Sequence, residues 1–450
     1  MGSTSKNLWN HTVDSPLENV MRPALVMNMF YTGLGIARSL GEHGVPVVGL
    51  TSQRGVFGNY TRHAKTVLCP DSRHAPEALL QRLLELGRRM DQRSVIFPTR
   101  DDDVVFLDRF RKELEPYFIV TVPESSVLQA CLNKWETFLW AERVGIPTPK
   151  CWLIEGEKDL ARVLPDVTYP CVLKPVAAHH WRKARNWALV GARKAIGVSS
   201  QPELLAEYRA IARADQRALL QEMVPGPDDS LLIAACYLDR ESNFVAGFNT
   251  QKLLQTPEGF GTGCIVQTAD RPELFERSAR LLKAMNYTGI AEVEYKWDAR
   301  KRDYQLIEIN PRPWDQHPLG KACGVDLIYL AYCDHAGLPM PRTERQTCMR
   351  KWVAEDAFLL EAFRLLWNRD GASFFRLFRL ARGNRIYSIW SWHDPLPSLG
   401  YMPFRFIPGL IGTGLRSMWS GFRRMTSSKP RQEDKNMVYE QHLENENSRS

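Results

Sequence analysis

The 450-residue sequence predicts a mixed α/β and α+β protein: a doubly wound parallel sheet in front, an α+β region behind it, and a helical basic extension at the end. Three observations carry this expectation. Between residues 24 and 122 short apolar runs alternate with helical patterns, as in parallel βαβ units. Around residues 289–312 two period-two stretches flank a charged turn, which reads as an antiparallel hairpin. From residue 358 apolar residues recur at helical spacing with arginines between them.

Composition narrows the class. Hydrophobic content of 44% and charged content of 24% are ordinary globular values, and the length calls for two or three domains. A net charge of +8 permits anionic partners, nucleotides included, without selecting one; no nucleic acid is expected. Nine cysteines without a Cys-x-x-Cys pair argue against a disulfide framework and a thiolate zinc site. They favour a reducing compartment, so a cytoplasmic location is expected. Residues 1–21 lack the basic-then-apolar order of a signal peptide, and no apolar run approaches the ~20 residues that span a bilayer.

Taken in order, Ala24–Asn28 reads as a buried strand feeding the helix Thr32–Leu40, and Gly44–Leu50 as the next strand. A helix over Pro76–Met90, a strand over Ser94–Phe97, a helix over Asp102–Leu114 and a strand over Phe118–Val122 follow. Gly33-x-Gly35 is a weak nucleotide signal, because Arg38 stands where a dinucleotide fingerprint needs its third glycine. The two glycines are better explained by a tight strand-to-helix turn. Asp101 lies just past a strand end, a ligand position in open sheets and equally a helix cap.

A helix from about Leu132 to Val144 carries Lys134 and is stopped by the prolines of Gly145-Ile-Pro-Thr-Pro149. Tyr169–Pro175 is a buried strand ending in Lys174, whose charge either meets an anion or snorkels to water. A strand at Ala192–Ile196, a helix at Pro202–Ala214 and a strand at Ala218–Val224 complete a small α/β unit. Antiparallel strands at Leu231–Leu238 and Asn243–Phe248 precede Lys252, a Gly-rich loop to Gly263, and helices at Glu273–Met285 and Gly320–Ala336.

The hairpin carries the chemistry. In Gly289–Tyr295 and Tyr304–Arg312, alternation puts Glu292 and Glu294 on one face and Glu308 and Asn310 on another. Folding the arms together places Glu294 opposite Glu308, which destabilises a sheet unless a cation sits between them. Mg²⁺, completed by phosphate oxygens, suits two carboxylates and an amide carbonyl. A solvated hairpin with a charged face would show the same pattern.

Glu294 with Leu-Ile-Glu308-Ile-Asn310-Pro-Arg312 resembles the metal-binding signature of ATP-grasp enzymes, and four further segments resemble the family in the same order. The resemblance implies an ATP-grasp fold preceded by a Rossmann-like domain. It further implies that Lys134 and Lys174 contact phosphates, that backbone groups in Gln221-Glu222-Met-Val224 hold adenine, and that Asp228 (or its neighbour Asp229) accepts from the ribose. Lys252 would face the γ-phosphate, and Glu294, Glu308 and Asn310 would bind one or two Mg²⁺ ions, or Mn²⁺. In some relatives the oxyanion arginine stands two positions before the first metal carboxylate; here Glu292 occupies that place. Arg312, which follows the Glu-x-Asn as in biotin carboxylase-like members, is the implied catalytic residue, with an ion pair to Glu292 or Asp315 as its structural alternative.

Within the superfamily the chain most resembles D-aspartate ligase-like carboxylate–amine ligases, in Lys252-x-x-Gln-x-Pro257 and Glu308-Ile-Asn-Pro-Arg-Pro-Trp314. The implied activity joins a small-molecule carboxylate to an amine through an acyl phosphate, with ATP as substrate. ATP-driven carboxylation, and a non-catalytic ATP-binding regulatory or membrane-surface role, are the alternatives. One departure stands out. The phosphate-covering loop, usually rich in glycine and serine, is here the basic and aromatic Ala177–Ala188, where Arg182, Lys183 and Arg185 could substitute charge for backbone amides. His179 and His180 read as loop residues.

The expected organisation is a disordered start over 1–21, a Rossmann-like domain over 22–123 and an ATP-grasp domain over 124–340. The latter divides into a small subdomain of about 150–226 and a large one of about 227–340. A basic-aromatic helical extension over 341–426 and a disordered tail over 427–450 follow. The extension either packs on the core or lies on an anionic membrane. A homodimer is a further expectation.

Overall fold

The computed structural model describes residues 21–181, 184–191, 193–256, 261–343 and 346–406. Three sheets organise them. The first is parallel, in the order β3-β2-β1-β4-β5, built from β1 (Ala24–Met27), β2 (Val47–Thr51), β3 (Lys65–Leu68), β4 (Ser94–Phe97) and β5 (Phe118–Val120). Successive strands run outward from β1 in one direction and from β4 in the other, so the carboxyl ends of β1 and β4 border a topological switch point, where open sheets bind ligands. β3, an edge strand of half-exposed residues, has no counterpart in the sequence reading. Its Lys-Thr-Val-Leu run is too short and too polar to stand out.

Helix α1 (Tyr31–Glu42) starts tightly after β1 because of Gly33. A Cβ there would lie 1.9 Å from the Asn28 carbonyl oxygen, and one at Gly35 would meet the His317 and Pro318 side chains at 2.7 Å. These glycines serve close packing, in agreement with the turn reading. Gly33→Ala is therefore expected to destabilise the protein by about 1–3 kcal/mol, read as a lower midpoint in denaturant unfolding; an unchanged midpoint would refute the packing account.

The helix expected over Asp102–Leu114 is broken at Phe110 into α3 (Asp101–Arg109) and a turn at Arg111–Leu114. Likewise Leu132–Val144 divides at Asn133, between helices Ser125–Leu132 and Lys134–Arg143. The Asn133 side chain leaves the helix to cap the second one, accepting from the amides of Trp135 at 3.1 Å and Glu136 at 3.3 Å. The pattern at 320–336 splits as well, into Pro318–Lys321 and Leu327–Ala336.

A four-stranded antiparallel sheet, in the order β6-β9-β7-β8, joins β6 (Cys151–Ile154), β7 (Cys171–Pro175), β8 (Ile196–Val198) and β9 (Ala218–Glu222). β8 begins where the expected strand Ala192–Ile196 ends. The segment read as a lid loop is instead helical at Ala178–Trp181 and Ala184–Leu189, with Trp181 buried in the core of this sheet. Arg182, Lys183 and the side chains of His179 and Arg185 lie outside the described residues. His180 faces Asp215 at 3.2 Å.

The largest sheet has the order β14-β13-β10-β11-β12-β15-β16. It comprises β10 (Leu231–Leu238), β11 (Phe244–Thr256), β12 (Thr262–Ala269), β13 (Gly289–Asp298), β14 (Asp303–Asn310), β15 (Lys351–Val353) and β16 (Arg385–Tyr387). Lys252 thus sits within a strand rather than in front of a loop; Pro257 lies outside the described residues. β15 and β16 correct the reading of a purely helical extension, since three-residue strands carry no periodicity to detect. The helices Glu355–Trp367 and Gly371–Leu380 do break at Asp370-Gly371 as expected. Cys323 and Cys348, distant in sequence, bring their sulfurs to 2.9 Å.

His317 fastens α1 to the segment after β14. Its Nε2 donates to the Thr32 carbonyl at 3.1 Å, and burial pushes its pKa down to about 4. An imidazole whose folded pKa lies below its unfolded value of ~6.5 binds more protons when unfolded, so its contribution falls as pH drops from ~6.5 to ~4. His317→Gln is expected to flatten the acid side of the stability profile, by up to about 3 kcal/mol. Parallel profiles for variant and wild type would contradict this.

Candidate active site

The three sheets enclose one large cavity of about 400 Å³. On its floor is the β13–β14 hairpin. The register pairs Glu292 with Asn310 and Glu294 with Glu308, after which a bulge leaves Ile307 to line the cavity and re-pairs Tyr295 with Leu306. Val293 and Tyr295 point into the core beneath, so Glu292, Glu294 and Lys296 share the cavity face. Two carboxylates facing each other are tolerable because each has a lysine. Lys252 Nζ donates to Glu294 at 2.7 Å, and Lys134 Nζ donates to Glu308.

Those lysines arrive from different elements. Lys134 opens its helix, whose first amide donates to the Val176 carbonyl at 2.9 Å and ties it to the small sheet. Lys174 projects from β7 and donates to Gln221 Oε1 at 3.1 Å. Burial, reinforced by the nearby Lys134 charge, pushes its pKa down to about 8, so an anion placed beside it would be strongly favoured. Burial would lower Lys252 too, but Glu294 and Glu292 outweigh it and hold the ammonium above its ordinary pKa. Lys134 overcomes burial at Glu308 and holds that carboxylate well below the usual range. Glu292 goes the other way: burial pushes it up to about 8, and Asn310 Nδ2 donates to it at 3.0 Å.

At the far wall Arg312 donates through Nε to Asp101 at 2.6 Å. Asp101 is the first residue of α3, at the carboxyl end of β4, so the parallel sheet supplies the partner. In the structural alternative to a catalytic role, an ion pair of Arg312, the partner is thus Asp101 rather than Glu292 or Asp315, which act on Arg312 as neighbouring charges. Burial opposes the guanidinium charge, but Asp101 and Glu292 more than restore it. Asp315 accepts from the Thr32 hydroxyl at 2.7 Å.

Lys134, Lys174, Gln221, Val224, Lys252, Glu294, Glu308, Asn310 and Arg312 all line this cavity. Glu222 and Asp228 do not. The Glu222 carboxylate pairs with Arg300 at 2.8 Å, and its amide donates to the Lys150 carbonyl at 2.8 Å. Asp228 accepts from the Gln255 amide and side chain, at 3.0 and 2.8 Å, pinning the irregular part of β11. Lining residues missed in the sequence include Lys194, Lys296 and Gln316. Lys296 was detectable, being two positions beyond Glu294 on an alternating strand. The others come from segments without a local signal.

Opposed carboxylates, each neutralised by a lysine from another element, make a site built around a charged ligand. A family model described as the carbamoyl-phosphate synthase L chain ATP-binding domain matches residues 245–341, the segment that contains the hairpin. Over that segment the chain is similar to an ATP-grasp domain. It is similar to the D-aspartate ligase of Enterococcus faecium (strain Aus0004), with 22% identity over 62% of this chain and 68% of that one. It is also similar to the D-alanine–D-alanine ligase of Pseudomonas putida (strain GB-1), with 23% identity over 46% of this chain and 64% of that one. Among solved structures, Campylobacter jejuni biotin carboxylase superposes with a TM-score of 0.57 at 17% identity, covering 71% of this chain and 72% of that one. The N5-carboxyaminoimidazole ribonucleotide synthetase of Thermus thermophilus gives 0.54 at 15%, covering 72% and 81%. Among the described residues no helix is long and apolar enough to cross a membrane.

Proposed function

We propose that this protein is an ATP-dependent ligase that joins a carboxylate to an amine through an acyl phosphate. The observation that carries the reading is the cavity itself. It sets the lysine-bridged Glu294 and Glu308 pair at one end and the Arg312–Asp101 pair at the other, with room between for a nucleotide and a small acid.

The donor set fits magnesium. Among the described residues no group of three acidic, histidine or cysteine side chains forms a complete metal cage. Two carboxylates and one amide therefore suit an ion that takes its remaining ligands from phosphate and water. Glu294, Glu308 and Asn310 would hold one or two Mg²⁺ ions, which when bound neutralise charge on the phosphates. Lys134 and Lys174 would exchange their present partners for phosphate oxygens. Met223 and Val224, which line the cavity beyond Gln221, suit the adenine better than Glu222. Lys296 is the remaining cavity-facing cation on β13, close enough to Asp228 to feel its charge, and is a better candidate than Asp228 to meet the ribose side of the nucleotide.

The acid would lie between Lys252 and Arg312. Lys252 offsets the negative charge that gathers as the γ-phosphoryl group reaches the carboxylate, which converts a poor acyl donor into a good one. The amine then attacks, Arg312 stabilises the tetrahedral oxyanion, and phosphate leaves. The buried Glu292, partly protonated near neutrality, stands near both Lys252 and Arg312. Carboxylase neighbours share the fold, but the matched D-aspartate and D-alanine–D-alanine ligases favour amide formation. Incubation with Mg·ATP and panels of acids and amines tests this. Phosphate released in step with an amide seen by mass spectrometry is the expected result; folded protein that neither binds Mg·ATP nor releases phosphate with any pair would defeat the reading.

A further inference from the structure

We infer that the helical pair Glu355–Trp367 and Gly371–Leu380 docks the protein on an anionic lipid bilayer. The inner faces of these helices are fully used: Ala357, Ala362, Leu365 and Leu377 are buried in the main core with Trp352. Their outer faces are apolar as well. Phe363, Leu366 and Trp367 form a stripe at helical spacing on the first helix, and Phe375 and Phe378 lie on the second. Phe375 is 75% exposed, Leu366 59% and Trp367 53%. The helices pack together through the Phe358 and Phe378 rings, 5.1 Å apart.

Large apolar side chains left in water on two packed helices mark an interaction surface, and charge selects the partner. Residues 358–382 hold five arginines against Glu361 and Asp370. Both acids are engaged locally: Glu361 pairs with Arg364 at 2.5 Å, and Asp370 caps the second helix through the Ser373 amide at 3.0 Å. Arg376, Arg379 and Arg382 are exposed beside the phenylalanines, with no ion pair among the described residues. Aromatics flanked by unpaired arginines match the boundary of a bilayer, where rings enter the acyl edge and guanidinium groups meet phosphate. A protein partner would have to supply both an apolar groove and a row of acids. The sequence after residue 406 continues in the same composition, with Arg416, Trp419, Phe422, Arg423 and Arg424.

The test is co-sedimentation of the full-length protein with vesicles of phosphatidylcholine alone and of phosphatidylcholine mixed with phosphatidylglycerol. Wild type is expected to pellet with the anionic vesicles, less so as salt rises, and weakly with the neutral ones. Each arginine near the surface is worth about fivefold in partitioning, so Arg376→Glu/Arg379→Glu is expected to lower it by roughly twentyfold or more. Leu366→Ser/Phe375→Ser, at two of the most exposed positions of the face, is expected to lower it too, and both variants should keep the wild-type melting curve and Mg·ATP affinity. Wild type that stays in the supernatant overturns the inference. So do variants that bind as well as wild type, which would place lipid contact elsewhere in the chain. A dimer in light scattering that both variants dissolve, without vesicle binding, would assign the face to a second copy instead.

Discussion

Replacing Glu308 by glutamine is expected to weaken Mg·ATP binding by roughly ten- to a hundredfold, the worth of one charged contact at about 1.4 kcal/mol per decade. In the structure this carboxylate is held by Lys134. On the proposed reading Mg·ATP would separate the pair, the lysine going to phosphate and the carboxylate to the cation. Glutamine removes the second half of that exchange and leaves the first. Metal-free ATP is therefore expected to bind the variant as well as wild type or better, because Lys134 no longer has to leave a charged partner. Calorimetric titrations with magnesium and with a chelator separate the two effects. Equal Mg·ATP affinity in wild type and variant would remove Glu308 from the metal site.

Arg312→Lys is expected to lower amide formation about 10²- to 10³-fold, the usual effect of losing an oxyanion donor, with Mg·ATP affinity unchanged. Lysine keeps the charge near Asp101 but not the planar fork that holds Asp101 through Nε and the Pro313 carbonyl through Nη1, and that on the proposed reading would turn Nη2 to substrate. Acid-dependent phosphoryl transfer should survive in this variant, since Lys252 and the hairpin are untouched, while attack by the amine slows. Loss of both steps together would instead mean that Arg312 positions the acid. Arg312→Ala is a poorer probe, because breaking a buried ion pair by removing one partner costs about 3–5 kcal/mol of stability.

Elements with a strong period were legible in the chain, and the weak ones were not. The hairpin is the clearest case. Alternation in Gly289–Tyr295 and Tyr304–Arg312 was enough to set Glu294 against Glu308, and the register agrees. By contrast β3, β15 and β16 have three or four residues each and, unlike the equally short β1, β4 and β5, each opens on a charged residue, which breaks the apolar run. Asn133 and Phe110 interrupt helices whose hydrophobic pattern runs on across them. The lid segment misled for another reason: its basic and aromatic composition suggested an open loop, yet Trp181 had a core to enter.

The candidate site divides along the same line. The residue types and their local order were determined by the sequence alone: two lysines ahead of an acidic hairpin, then an arginine. Which charge meets which was decided only by the tertiary structure. Arg312 and Asp101 are 211 positions apart, Lys134 and Glu308 are 174 apart, and Lys252 and Glu294 are 42 apart. Glu222 and Asp228 lie within a few residues of Gln221 and Val224, yet turn to Arg300 and Gln255 instead of the cavity. The physical reason is that strand alternation fixes only the side of a sheet on which a group emerges. Its partner is chosen by whatever the packing of three sheets brings within hydrogen-bond reach in a low-dielectric cavity, where leaving a charge unpaired is most costly.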